Sequence, residues 1–463
     1  MSKIKMCQKK HCHKCVKDSS CSLELKIGTK NMLLFAFRSV PQEEGLPTLP
    51  SISDIFNYIP PNPLTLTEEI FAQMMENMYQ QTDRADLMDA KGRLSAMSDE
   101  LASLDLDVIG LQEVMILSSN PIVNPDGTIN SQPFTATNGY AGDENSAPEY
   151  RTFNFYQMLI DRLKSRHGIS YELLSFNPTT VLQGLRTKDT LENANITCSY
   201  VLGTAILIKK KLKGKVLSQR PVMSTYARKY VDTEILVGDG SSGEKSAITF
   251  WIDVIGRGFD VVDIEVKGIP VRLINAHAPS GNSETSALYG VDGQKYVENP
   301  NSQRATFMME ALTKYIEPSP YPVFFFGDFN LQVVDEQTSQ NLFSSAPMMT
   351  LLDKVGPDGT INQYTGKMID SGFAVKGAAI SGPEYKSGGF RGTCPPPFAD
   401  WDCLRNPNGF YRFRIDHILG RRGDKVKFLE YGNFNTPLPT SPSQPWSFSS
   451  DHATVYAKVK ICK

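Results

Sequence analysis

Asp328 and Asn330 stand two residues apart in Gly327-Asp328-Phe329-Asn330, directly behind the apolar run Val323-Phe324-Phe325-Phe326. An apolar run bounded by Pro322 and Gly327 reads as a buried strand, and its period of two puts Asp328 and Asn330 on one side of an extended backbone. A carboxylate and an amide so placed suit phosphoryl chemistry. The acid orients or deprotonates a water, and the amide donates to an oxygen whose charge grows in the transition state. Gly-Asp-x-Asn is also ordinary turn chemistry, so its companions matter.

Four further segments bring chemical groups to strand edges. Asp107 to Val114 is an apolar strand that reaches Glu113, a candidate ligand for a hard cation, and it follows a stretch from Arg93 with Leu94, Met97, Leu101 and Leu104 at helical spacing. The strand from Ile269 to Ile274 delivers Asn275 and His277, and Arg304, Ala305, Met308, Leu312 and Ile316 mark a helix after it. Arg414-Ile415-Asp416-His417-Ile418-Leu419 holds an acid in an apolar frame, and Ser450-Asp451-His452 leads into an alternating strand from Ala453 to Val459. The chain has six histidines, and His277, His417 and His452 all fall in these segments. A single such histidine is most often structural. His417, next to Asp416 on a strand, should point away from it.

In their order along the chain, these motifs resemble those of the endonuclease/exonuclease/phosphatase superfamily. Its Mg²⁺-dependent hydrolases include pancreatic deoxyribonuclease, apurinic endonucleases, inositol polyphosphate 5-phosphatases and neutral sphingomyelinases. The resemblance spans residues 90–462, with Tyr200 to Ile208 similar to a central strand. It implies that Glu113 binds the metal, His277 contacts phosphate, and Asp328 positions or deprotonates the attacking water. Asn330 would stabilise developing charge, Asp416 would orient a histidine, and Asp451 with His452 would complete the metal and phosphate cluster. The superfamily ends its first strand on an Asn that helps hold the metal, and the candidate first strand here, Met32 to Val40, offers Arg38. Arginine has no acceptor and cannot ligate a cation. Either that strand is misassigned, or Arg38 contacts phosphate, or the metal site is weakened. Arg38 and Asn275 are assigned to substrate binding.

An acid-rich, thiolate-free set favours Mg²⁺, or Mn²⁺, over Zn²⁺. The 463 residues are 40% hydrophobic and 21% charged, with a formal net charge of −2. That balance gives no whole-protein case for nucleic-acid binding, and no run reaches the roughly 18 apolar residues of a membrane span. Met1 to Cys21 is polar where a secretory signal needs an apolar core, so a cytoplasmic monomer is expected, with room for peripheral membrane contact. Cys7, Cys12, Cys15 and Cys21 interleave with His11 and His13 without the paired knuckles of strong zinc signatures. Zinc, disulfides and a reduced tail all remain open there.

The expected architecture is α/β: two packed, mostly antiparallel sheets flanked by helices in a four-layer sandwich, with an N-terminal extension. Residues 1–30 form a cysteine-rich tail and 31–463 the catalytic domain, with inserts at about 41–90 and 120–150. The second insert is the candidate for substrate recognition. The basic run from Lys209 to Lys215 reads as a solvated strand end or as a contact for phosphate-rich substrate or membrane. The expected function is divalent-metal-dependent hydrolysis of a phosphate ester, most simply a phospholipid or inositol-phosphate headgroup. The alternatives are a Mg²⁺-dependent nuclease acting on nucleic acid and a non-catalytic binding protein that keeps the fold.

Overall fold

The computed structural model describes residues 22–32, 90–118, 152–186, 197–224, 234–237, 248–255, 257–279, 286–289, 295–298, 300–331, 348–352, 354–355, 363–364, 366–376, 388–390, 411–434, 450 and 452–462. Arg38, Asp451, the cysteine and histidine cluster before residue 22 and the stretch 120–150 lie outside them.

The chain begins with β1 (Ser22–Asn31) and α1 (Ala90–Leu104), followed by β2 (Val108–Ser118), β3 (Thr152–Asn154), α2 (Phe155–His167), β4 (Tyr171–Arg186) and β5 (Thr197–Lys209). Next come β6 (Lys215–Met223), β7 (Glu234–Val237), β8 (Ile248–Ile255), β9 (Gly258–Val266), β10 (Ile269–His277) and the hairpin of β11 (Ser286–Tyr289) with β12 (Lys295–Glu298). α3 (Pro300–Glu310) runs on into a π-helical turn, Ala311–Ile316, before β13 (Val323–Asp328) and α4 (Met349–Leu352). β14 (Lys354–Val355) pairs β15 (Gln363–Tyr364), and β16 (Met368–Asp370) leads into α5 (Ser371–Lys376). β17 (Gly388–Phe390) pairs β18 (Tyr411–Phe413), and β19 (Asp416–Arg421), β20 (Val426–Phe434) and β21 (Thr454–Cys462) close the chain.

Among the described residues, one sheet has the order β20-β21-β1-β2-β5-β4-β8-β7, with β3 on β2, and the other the order β16-β19-β13-β10-β9-β6. Each holds one parallel pair, β1 with β2 and β10 with β13, and the other neighbours are antiparallel. Three apolar clusters separate four layers. Leu94, Met97 and Leu101 of α1 and Leu159 of α2 pack on the outer face of the first sheet. Leu25, Ile27, Phe324 and Phe326 meet between the sheets, and Phe307 and Met308 of α3 cover Phe325 on the far side. Val323 to Phe326 is therefore buried on both faces, as its unbroken apolar run requires. The expected four-layer sandwich is the observed fold.

The first strand is a correction. The strand between β2 and β21 in the first sheet is Ser22–Asn31, and of the run Met32 to Val40 only Met32 lies among the described residues. Leu23, Leu25 and Ile27 alternate toward the interlayer core, and the same parity carries Thr29 and Asn31 toward the second sheet. A tail boundary at residue 30 thus cuts through the end of a central strand. The basic run is placed at the opposite end of the first sheet from Glu113, since Val108 at the start of β2 pairs with Ile208. Lys209 is buried and pairs with Asp105 and Asp107, while Lys210 and Lys213 pair with Glu172. Among the described residues, no helix is long and apolar enough to cross a membrane.

A polar seam crosses the interlayer core. Asp260 of β9 accepts from Ser175 Oγ and Thr204 Oγ1, both at 2.6 Å, and from Asn275 Nδ2 at 3.4 Å. Burial pushes its carboxyl up to about 7 from the ordinary 3.8, against the pull of those three donors. A folded pKa above the unfolded one means stability that is complete below about pH 3.8 and is lost as pH rises through 7. The whole difference amounts to about 4 kcal/mol at most. Asp260→Asn should therefore gain stability over the parent chain between pH 4 and pH 8 in denaturant melts. A constant difference between the two proteins across that range would contradict the assignment.

Candidate active site

The two parallel pairs end at the same rim of the sandwich and deliver the central groups. Asn31 closes β1, Glu113 lies in β2, and His277 and Asp328 end β10 and β13, where they are register partners. β19 runs antiparallel to β13, so its first residue, Asp416, pairs with Asp328 in the same row. β21 runs antiparallel to β1 and starts just after His452. Asp328 shares the parity of Phe324 and Phe326, and Asp416 that of Ile418, so the acids continue the interlayer core outward to its edge.

Local backbone geometry aims these groups. The pairing of β2 with β5 shifts register between Leu111 and Val114, and Glu113 adopts φ +53. This bulge lets two successive side chains reach partners beyond their own strand: Gln112 bonds Asn275, and Glu113 accepts from Asn31. Asn330 adopts φ +48, a second non-glycine residue held in the left-handed region at the rim. Gly327 has φ +147, and a Cβ there would lie 1.9 Å from the carbonyl oxygen of Ala276, so any side chain would separate β13 from β10 just below Asp328.

The side chains form a connected cluster. Asn31 Nδ2 donates to Glu113 Oε1 and to Asp328 Oδ2, each at 3.0 Å. Asp328 Oδ1 accepts from the Asn330 backbone at 2.9 Å, and Asn330 Nδ2 donates to the Ala278 carbonyl at 3.1 Å. His277 Nε2 lies 3.5 Å from Asp328 Oδ2 and 3.9 Å from Glu113 Oε1. Asp416 Oδ2 is 2.8 Å from His452 Nδ1 and accepts a hydrogen bond from the Nδ1–H tautomer, which leaves His452 Nε2 on the side of Asp328, 3.7 Å from Oδ2. Burial, then the charges of Arg257 and His452, hold the His277 imidazole well below its usual range, so it is neutral at pH 7. Arg304 of α3 is fully buried, with Nε donating to the Pro279 carbonyl, and burial lowers its guanidinium to about 10 while the Asp328 charge opposes that shift.

Asp328, Asp416 and His452 offer ligand atoms within 4.8 Å of one another, and Asn31 bridges Glu113 to the same Asp328. Three carboxylates and an amide, with no thiolate, fit a hard divalent cation. Glu113 and Asn31, beside the Asp328, Asp416 and His452 group, are the residues that would hold it.

Five assigned residues, Glu113, His277, Asp328, Asp416 and His452, are thus brought together, and Asn330 supports them through its backbone N–H. Asn275 is a correction. It is fully buried two residues below the rim, with Nδ2 donating to the Leu111 and Ala205 carbonyls and Oδ1 accepting from Gln112, so it ties the sheets together and does not face substrate. His417 turns to the opposite face, stacked on Phe329 with Nε2 2.8 Å from the Leu331 carbonyl. Two residues went unread in the sequence. Asn31 carried a signal, the alternation of Leu23, Leu25 and Ile27 that ends on it; Arg257, whose charge acts on His277, carried none.

No family model matches the chain, and no curated protein does. Solved structures do match. An endonuclease/exonuclease/phosphatase family protein from Bacteroides thetaiotaomicron aligns over 95% of this chain and 98% of its own, at 12% identity and TM-score 0.42. TDP2 from D. rerio, complexed with a single-strand DNA product, covers 94% and 98% at 12% identity and TM-score 0.40. A mannosyl-6-phosphatase from B. thetaiotaomicron covers 94% and 99% at 12% identity and TM-score 0.39. The chain is similar to endonuclease/exonuclease/phosphatase family proteins. The similarity extends over most of the length of each of these chains.

Proposed function

We propose that this protein hydrolyses a phosphate ester with the help of a divalent cation, Mg²⁺ or Mn²⁺. The observation that carries the reading is the convergence of Asn31, Glu113, His277, Asp328, Asp416 and His452 from six different strands or strand ends onto one rim. A fold needs no such gathering of acids for its own stability, because like charges in a partly buried site repel.

Asp328 is held by the Asn330 N–H and the Asn31 amide, so its carboxylate is oriented before substrate arrives. It is the group to position a water and take its proton. His452, with Nδ1–H donated to Asp416, presents Nε2 to the site and can pass a proton to or from a phosphate oxygen. Neutral His277 keeps an N–H to donate to a second oxygen, and Arg257 brings positive charge to the same side. A cation bound by Glu113 and Asn31 would polarise the phosphoryl group and neutralise the leaving oxygen. Asp451, outside the described residues, stays assigned by its Ser-Asp-His motif to the metal, while Arg38 loses the strand end that linked it to phosphate. The substrate we favour is a phospholipid or inositol-phosphate headgroup, with nucleic acid as the second reading.

The test is a panel of phosphoinositides, sphingomyelin, and single- and double-stranded DNA and RNA, each with Mg²⁺ and with chelator. Turnover of at least one substrate that chelator abolishes is the expected result. Glu113→Gln should raise the Mg²⁺ concentration for half-maximal rate about tenfold. Binding of a panel member without turnover at any metal concentration would favour the non-catalytic reading instead.

A further inference from the structure

Lys30 follows Thr29 in β1, and the strand's alternation sends it away from the second sheet, toward α1. Its side chain is only 1% exposed. A buried ammonium is costly unless paired and hydrogen-bonded, and Lys30 is both. Nζ donates to Glu100 Oε1 at 3.0 Å, to Oε2 at 3.3 Å, and to the carbonyl oxygen of His452 at 2.7 Å. Glu100, from α1 and equally buried, accepts from the Thr454 backbone N–H at 3.2 Å and from its hydroxyl. One ion pair therefore grips the main chain on both sides of Ala453. Ser450 adds a third tie: its hydroxyl donates to the Asn31 carbonyl at 2.7 Å and accepts from the His452 N–H at 3.1 Å.

These bonds all reach the backbone around His452, where the chain enters β21 and Thr454 pairs with Phe434 of β20. An apolar pair of similar volume would pack α1 on β1 at least as well, since buried ion pairs are often replaceable without loss of stability. What an apolar pair lacks is direction. The lysine fixes a carbonyl and the glutamate fixes an N–H two residues on.

We propose that the Lys30–Glu100 ion pair is a positioning device, which sets His452 against Asp416 and Asp328 by clamping the main chain on either side of Ala453. The inference rests on the reading of His452 as a working residue of the hydrolytic site, and it assigns Lys30 and Glu100 no contact with substrate.

The test is the double variant Lys30→Met/Glu100→Leu in the full chain. It should fold, with kcat lowered about tenfold to a hundredfold and KM within about twofold. Amide hydrogen exchange at His452 and Thr454 should quicken while Tyr456 to Lys460 keep their protection. Should the double variant fail to fold, Glu100→Gln carries the same two measurements, because it keeps the size and an acceptor for Thr454 while removing the charge. Parental kcat overturns the proposal, as a structural pair would lower the melting temperature alone. A lowered kcat with unchanged exchange at His452 also overturns it. If the parent chain turns over no phosphate ester, the functional reading has failed, and the exchange measurement still decides whether the pair holds this segment.

Discussion

Asp328→Asn and His452→Ala should each lower kcat by a hundredfold or more, about 3 kcal/mol in transition-state stabilisation, with the fold kept. Asp328 accepts from the Asn330 N–H and from Asn31 Nδ2 while its Oδ2 lies within 4 Å of both His277 and His452. An amide at 328 keeps the shape but removes the charge and the capacity to take a proton. His452→Ala removes the group that Asp416 orients through Nδ1 and leaves that carboxylate without its imidazole. The two losses should not add, because both residues serve one proton-handling unit. Steady-state kinetics beside circular dichroism checks this. Either variant at the parental rate would remove its residue from the chemistry.

Asn31→Ala should raise the Mg²⁺ concentration for half-maximal rate by about ten- to a hundredfold. Asn31 Nδ2 donates to both Glu113 and Asp328, so its loss removes the amide that bridges two like-charged carboxylates. Arg38→Asn is the matching control. With Asn31 at the end of β1, no amide is missing from the proposed metal site, and Arg38→Asn should leave the metal dependence where it was. A gain in activity from that variant, together with an inert Asn31→Ala, would reverse the two assignments.

The sheets were legible where hydrophobic spacing was unambiguous. Val323 to Phe326 and Ile269 to Ile274 read as strands because both faces are buried, and α1 read as a helix from Leu94, Met97, Leu101 and Leu104. β1 was not legible, because Gly28-Thr29-Lys30-Asn31 looks like a polar turn while the neighbouring run from Met32 to Phe37 looks like a core strand. Only burial of Lys30 beneath α1 makes sense of its place in a strand, and a partner 70 residues away is invisible to spacing. Parity also misled at Asn275. It shares a face with His277, yet it lies one pleat deeper, where that face is the interlayer core and no longer the rim. The bulge that turns Glu113 outward left no mark in Leu111 to Val114 at all.

β1 is flanked by β2 on one side and by β21 on the other, and Lys30 meets a carbonyl 422 residues further on. At about 5–20 residues per second, a ribosome needs roughly 20–80 s to make that interval. For that time one edge of β1 has no native neighbour, the circumstance in which chaperones hold nascent strands. The same delay is a safeguard. Since His452 and the strand that anchors it are translated after the site's other parts, the cluster cannot assemble until the chain has been made as far as β21, and the proposed activity waits on that strand.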